Sequence, residues 1–226
     1  MIKMVVFDMA GTTVNEQNLV YHTLHHTLQE AGYQVSFEQV LLLAPGKEKL
    51  QAIKDILGEL AVNLTEIDSR SQAMHQDFLG RLDQAYEAAE VTAFPGCDTL
   101  FQILKSKGIK VVLNTGYDRV TADLLLNKLN WTPGIEIDLS ITADDVEQGR
   151  PYPDMIILAM EKMGIQDAKT VAKIGDSIVD IEEGKSAGVG ITMGITTGAH
   201  TAEQLASAGP DFVIDSLSQV STLVLS

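Results

Sequence analysis

The apolar run Met4-Val5-Val6-Phe7 stops at an aspartate, Asp8, and the chain then turns through Ala10-Gly11-Thr12-Thr13. A short apolar run with β-branched members reads as a strand buried on both faces. In an open parallel sheet, ligands bind just beyond the carboxyl ends of such strands. Asp8 therefore stands where chemistry is done, with a glycine turn wrapped around whatever binds there. One aspartate after one strand constrains little, but later strands in the chain end in a related way.

After residue 14 the pattern becomes helical. Val20, Leu24, Leu28 and Ala31 recur at helical spacing and Gly32 ends that segment. Ser36 and Gln39 are placed as a capping box for a short helix through Leu43, broken by Pro45-Gly46. Ile53, Ile56, Leu57 and Leu60 form one further stripe, and Met74, Phe78, Leu82, Ala85 and Ala89 another. No strand pattern occurs from 18 to 89. Phe94-Pro95-Gly96 marks the return, after which helices and strands alternate: helix 100–107, strand 109–113, helix 119–129, strand 139–141, helix 154–163, strand 171–174, helix 181–187, strand 191–195, helix 202–208 and strand 212–214. Such alternation predicts an α/β fold, a doubly wound (Rossmann-like) parallel sheet with helices on both faces. Its core comprises residues 1–16 and 92–226, with an all-helical segment, 17–91, inserted after the first strand.

Three further strand ends carry chemistry. Asn114-Thr115-Gly116-Tyr117 offers a hydroxyl and backbone N–H groups at a strand-to-helix turn, which suits an oxyanion or phosphate. Gly149-Arg150-Pro151-Tyr152-Pro153 sets an arginine before a helix, and a guanidinium fork can hold two phosphoryl oxygens at once. Gly175-Asp176-Ser177 is followed at 180 by a second aspartate, about one helical turn on. By the sheet rule, Asp8, Asp176 and Asp180 meet at one edge with Thr115 and Arg150. Two carboxylates ~5 Å apart repel by roughly 3 kcal/mol at an effective dielectric of 20, and a phosphoryl dianion adds to this. One arginine does not balance the cluster, so a divalent cation is expected, and all-oxygen ligands suit Mg²⁺.

The net charge of −15 argues against nucleic acid and anionic membranes as partners. It also requires local positive charge wherever an anion binds. The single cysteine, Cys97, excludes a disulfide framework. With no export signal and no apolar run of membrane length, a cytoplasmic protein is expected.

With these residues in view, the chain resembles the haloacid dehalogenase (HAD) superfamily. Asp8 with its Gly-Thr-Thr turn, Thr115, Arg150 and the Asp176…Asp180 pair match its four ordered motifs, and the inserted helices resemble its mobile cap. The phrases DMAGTTV, NTGY and GRPYPDM are similar to those of the phosphonoacetaldehyde hydrolase (phosphonatase) branch. The resemblance implies that Asp8 attacks phosphorus to form an aspartyl-phosphate. It implies Mg²⁺ held by Asp8, the Ala10 carbonyl and Asp176, with Asp180 as a ligand or a support behind the ligands. Thr115 and Arg150 would stabilise the transferring group, while Thr12, Gly116 and Tyr117 would contact a small anionic phosphorus-containing substrate.

The sequence departs from the wider superfamily in two places. Most of its phosphatases have a second aspartate where this chain has Ala10, and most have lysine where it has Arg150. Without a positioned acid, an ester oxygen is a poor leaving group, a loss of about 10²–10⁴ in rate. Phosphonatases use a cap lysine that forms a Schiff base with the substrate aldehyde. Lys49, with Ile53 and Ile56 at i+4 and i+7, lies on the apolar side of its helix and is the candidate, although an ordinary snorkelling lysine fits the same spacing. Other landmarks of the branch differ: Ala52 replaces a histidine, Pro45 a methionine, and no cysteine lies near Asn18. Two rivals stay open. Residues 194–216, with TTGAHTAEQL and DFVIDS, also resemble phosphate-ester phosphatases of the phosphoglycolate phosphatase type. A non-catalytic phospho-ligand binding protein is the other. A homodimer is left open.

Overall fold

β1 (Met4–Asp8) runs through the middle of the sheet with every residue buried. This is a computed structural model, and it describes residues 1–60 and 63–225, Leu64 by its backbone only. Residues 61–62 of the predicted insertion and residue 226 of the predicted core lie outside that set. The sheet has the order β5-β4-β1-β6-β7-β8, all parallel. Its other members are β4 (Lys110–Thr115), β5 (Leu139–Thr142), β6 (Val171–Gly175), β7 (Ile191–Ile195) and β8 (Phe212–Ile214). The chain builds outward from β1 on one side and then crosses back to build on the other, so the order reverses beside β1. In register, Asp8 lies opposite Asn114 and Phe7 opposite Ile174, which brings the carboxyl ends of β1, β4 and β6 level.

Successive residues of a strand face opposite sides. Val5 and Phe7 join one core with Leu100, Phe101 and Leu104 of α5 (Cys97–Ser106) and Leu125 of α6 (Arg119–Leu129). Met4 and Val6 join a second core with Met155, Ile156 and Ala159 of α7 (Asp154–Met163). The remaining core helices are α8 (Ile178–Ser186), α9 (Ala202–Ser207) and α10 (Ser218–Leu225). The sequence pattern ended at the last strand and missed α10, which packs on α5 through Val220 and Val224. Two buried positions one turn apart are too short a stripe to stand out.

The chain enters the helical insertion at β2 (Val14–Asn15) and leaves at β3 (Thr92–Ala93), and these pair antiparallel. Two residues each are too few for a strand pattern, and neither was expected. Between them lie α1 (Leu19–Glu30), α2 (Phe37–Leu43), α3 (Lys49–Glu59) and α4 (Leu64–Ala88). The Ser36–Gln39 capping box is present, at 2.8 and 3.1 Å. α4 begins well before its predicted stripe because its first turns are mostly polar, with Asn63 capping Thr65 N–H at 3.2 Å. Among the described residues no helix is long and apolar enough to cross a membrane.

Candidate active site

Level strand ends bring distant acids together. Asp8 closes β1, Asp176 follows β6, and Asp180 lies in the first turn of α8. All three are buried, and one carboxylate oxygen from each lies within 4.8 Å of the others. Burial first, and then the charge of Asp180, push the Asp8 carboxyl up to about 6, against the pull of Arg150 and Lys173. Burial and both neighbours drive Asp176 well above the ordinary carboxylate range. Asp180 moves the other way: burial would raise it, but Arg150 and Lys173 outweigh that and hold it low. Its Oδ2 also accepts the Ser177 N–H at 3.2 Å, so it fixes the start of α8 as well as facing the cluster. Three oxygen donors held close together against their own repulsion are a donor set suited to a hard divalent cation.

Contrary to the expectation from the sequence, Arg150 is not the cluster's one compensating cation; a second is buried beside it. Lys173, in the middle of β6, is buried with Nζ 2.9 Å from Asp180 Oδ1, 3.2 Å from Glu183 Oε2 and 2.6 Å from Asn114 Oδ1. Glu183 in turn adds a further buried carboxylate. Arg150 is also more committed than a free phosphate fork. Its Nε donates to Glu183 at 3.0 Å, and its Nη2 donates to the Asn114 carbonyl and Oδ1 at 2.8 and 2.7 Å. Only Nη1 faces the reactive edge, 2.6 Å from Asp8 Oδ1 and 3.0 Å from Asp180 Oδ1. A lysine inside an otherwise apolar strand was the signal for Lys173. Glu183, one turn beyond Asp180, could have been read from helical spacing.

The turns around the acids are built by the backbone. Gly11 has φ +85°, and a Cβ there would come 2.3 Å from Asp176 Oδ2. Thr13 Oγ1 donates to the Asp8 carbonyl at 2.9 Å. The Thr12 hydroxyl is buried without a hydrogen-bond partner among the described residues. Asp176 Oδ2 accepts the Ala199 N–H at 2.6 Å, so the loop after β7 also supports the cluster. Ala10 sits in the Asp8 turn and brings no acid. Thr115 Oγ1 accepts the Tyr117 N–H at 3.2 Å, whereas α6 is capped by Asp118. Thr115 is therefore not the cap of the next helix.

The insertion meets this edge directly. A Cβ on Gly116 would lie 2.7 Å from the Lys47 carbonyl oxygen and 2.8 Å from that of Gly46, so only glycine lets the α2–α3 loop seat there. Lys49 opens α3 and is buried, with Nζ donating to the Lys47 carbonyl at 2.6 Å and lying 5.1 Å from the centre of the Tyr117 ring. Burial lowers its ammonium to about 8, against the carboxylates of Glu48, Asp8 and Glu16 and with help from Arg150. Lys47 and Lys54 instead pair at the periphery with Asp55 and Asp68. Sequence reasoning did not single out Glu16, Tyr21 or Tyr86, which share the Lys49 enclosure, because no local pattern joins them.

Residues 2–188 match the family model described as a haloacid dehalogenase-like hydrolase. The chain belongs to the haloacid dehalogenase-like hydrolases. Among its relatives is the probable phosphatase IndB of Dickeya dadantii, 27% identical over 96% of this chain and 91% of that one. Another is the phosphonoacetaldehyde hydrolase of Bacteroides fragilis, 26% identical over 99% of this chain and 95% of that one. In fold it is similar to a hydrolase from Pseudomonas syringae, with a TM-score of 0.86 at 21% identity, covering 98% of this chain and 97% of that one. This HAD hydrolase thus stands between phosphatase and phosphonatase relatives.

Proposed function

We propose that this protein is a Mg²⁺-dependent hydrolase of a small phosphonate or phosphorylated metabolite, working through an aspartyl-phosphate on Asp8. The observation that carries the reading is the three buried carboxylates within 4.8 Å at the sheet edge, with Arg150 Nη1 beside Asp8. Held by Asp8, the Ala10 carbonyl, Asp176 and Asp180, Mg²⁺ would neutralise the cluster and polarise a phosphoryl oxygen. Asp8 attacks phosphorus in line, the bond to the leaving group breaks, and water then hydrolyses the acyl phosphate. Arg150 Nη1 and the Thr115 and Thr12 hydroxyls hold phosphoryl oxygens, while Gly116 and Tyr117 wall the pocket.

Ala10 leaves an ester oxygen without a proton donor, and Lys49 supplies a different kind of help. A buried amine held near neutrality condenses with a carbonyl, and the resulting iminium accepts the electron pair of a departing carbon. The segment 17–91 acts as a cap, with hinges at 14–18 and 90–95, and its closure excludes water from the first step. The likeness to a probable phosphatase supports the second reading, an ordinary phosphate-ester phosphatase of the phosphoglycolate type.

A side-by-side turnover screen of phosphonoacetaldehyde and a panel of phosphate esters, with and without Mg²⁺, tests both. Phosphonoacetaldehyde turnover with a borohydride-trapped adduct on Lys49 supports the first reading. Ester turnover alone, with no adduct, replaces it with the second. No phosphoryl transfer to Asp8 from any substrate would leave only a ligand-binding role.

A further inference from the structure

Lys49 shares its enclosure with a buried carboxylate. Glu16 lies in the link between β2 and α1, and its Oε2 accepts the Val20 N–H and the Tyr86 hydroxyl, each at 3.0 Å. The Tyr86 hydroxyl lies 3.3 Å from that of Tyr117. Lys49 Nζ faces the Tyr117 ring at 5.1 Å and the Tyr21 ring at 5.8 Å. The link, α1, α3, α4 and the β4–α6 turn thus close around one amine and one carboxylate.

Capping α1 would explain the Val20 bond alone. A serine or asparagine would do that at far less desolvation cost than a buried carboxylate. It would not explain the Tyr86 bond, which reaches from the far end of α4. Burial pushes the Glu16 carboxyl up from its ordinary range, and the Val20 and Tyr86 bonds and then the field of Lys49 pull against that rise. Within α3, Ala52 brings no ionisable group one turn on from Lys49, and Glu48, whose charge also acts on the amine, caps Leu50 and Gln51 N–H at 2.7 and 2.9 Å.

We propose that Glu16 is a positioning residue for the Lys49 amine. Its carboxylate, fixed by Val20 and Tyr86, adds to the field that favours the charged amine and shares the enclosure of the cation formed when the amine condenses with a substrate aldehyde or ketone. This rests on the Schiff-base reading of Lys49 given above. In the condensation the ammonium releases a proton and the neutral amine adds to the carbonyl carbon. A C–N bond forms as the π pair moves to oxygen. The oxygen collects two protons, one released by the ammonium and one by the new C–N nitrogen, and leaves as water. The nitrogen keeps one hydrogen and the positive charge. One cation therefore faces Glu16 before the step and one after it, so a fixed counter-charge serves both states. The other charged and titratable groups around Lys49 are Glu48 at the start of α3, Asp8 of β1, Arg150 before α7, Tyr21 of α1 and Tyr117 of the β4–α6 turn, with His75 of α4, Asp118 before α6 and Asp144 after β5 lining the same cavity. Replacing Glu16 alters only one of these influences.

The test is reductive trapping of acetaldehyde with cyanoborohydride on the whole chain across pH, read at Lys49 by peptide mass spectrometry. The exposed Lys162 serves as internal standard. Trapping needs the neutral amine, and a nearby carboxylate favours the ammonium. Glu16→Gln should therefore move the Lys49 midpoint to lower pH by about one unit, while Glu16→Asp keeps most of the wild-type value. Tyr86→Phe weakens the hold on the carboxylate and should shift the midpoint the same way by less, which keeps the test alive if Glu16→Gln fails to fold. Superimposable Lys49 profiles for folded Glu16→Gln or Tyr86→Phe and wild type overturn the proposal and leave the Schiff-base reading standing. No adduct at Lys49 in the wild type, with Asp8 still phosphorylated by acetyl phosphate, overturns both and leaves the phosphoryl chemistry.

Discussion

The two walls of the site are built on opposite plans. On the sheet side, Asp8, Asp180 and Glu183 face Arg150 and Lys173 in a dense network of contacts near 3 Å, with Asp176 beside them. On the insertion side, the Lys49 amine and the Glu16 and Glu48 carboxylates lie near the Tyr21 and Tyr86 rings and against Tyr117 of the β4–α6 turn. The dense wall suits an anionic phosphoryl centre bridged to a cation. The sparse wall gives each charge more weight, because little else screens it. On the proposed reading, the sheet sets the reaction type and the helices laid over it choose the leaving group.

The largest effect tests the dense wall. Asp8→Asn is expected to cut turnover by at least ~10⁴-fold on every phosphorus substrate, with no phosphoenzyme by mass spectrometry. Lys49→Ala should cost ~10²–10⁴-fold on a carbonyl phosphonate and much less on phosphate esters. An equal loss on both classes in steady-state assays would break the division between the walls. Lys173→Met leaves Asp180 and Glu183 short of a buried cation and should destabilise the fold by about 3–5 kcal/mol in a denaturant titration. Adding Glu183→Gln should recover part of that.

Smaller shifts follow from charge balance. Mg²⁺ at about 100 times its dissociation constant should add about 2.7 kcal/mol, raising the melting temperature by roughly 5–10 °C. Asp176→Asn should abolish most of that rise. The smallest effect is on pH dependence without metal. Asp8 rises in the fold from 3.8 to about 6, and Asp176 rises too. The folded protein therefore holds protons that the unfolded chain has released. That contribution is complete below pH 3.8 and is lost as pH rises through 6. Melting temperature should increase as pH falls from 7 towards 4.5. Asp180, held low, opposes this only below its ordinary value of 3.8. Saturating Mg²⁺ should flatten or reverse the slope.

The dense wall was legible because each of its principal residues ends an apolar strand or begins the helix after it. Asp8, Thr115, Asp176 and Asp180 could be placed from strand runs and turns alone, and parallel register did the rest. Arg150 was found, but its commitment to Glu183 and Asn114 was not, since Glu183 was never paired with it in sequence. Lys173 was passed over because a buried-strand pattern expects an apolar residue there. The sparse wall was legible only at Lys49, through its helical phase. Glu16 and Tyr86 lie 70 residues apart, and no periodicity links a side chain in a connecting segment to one at the end of a long helix. The fold followed the same rule: long stripes and strand runs were visible, while α10 and the two-residue strands β2 and β3 were not.

That small ribbon has a consequence of its own. Val14 pairs with Ala93 and Asn15 with Thr92, so the inserted helices depart and rejoin at neighbouring residues. A turn of a few residues would bridge the gap with the sheet untouched. The covering helices therefore hang from the core by one short ribbon, their two connections side by side.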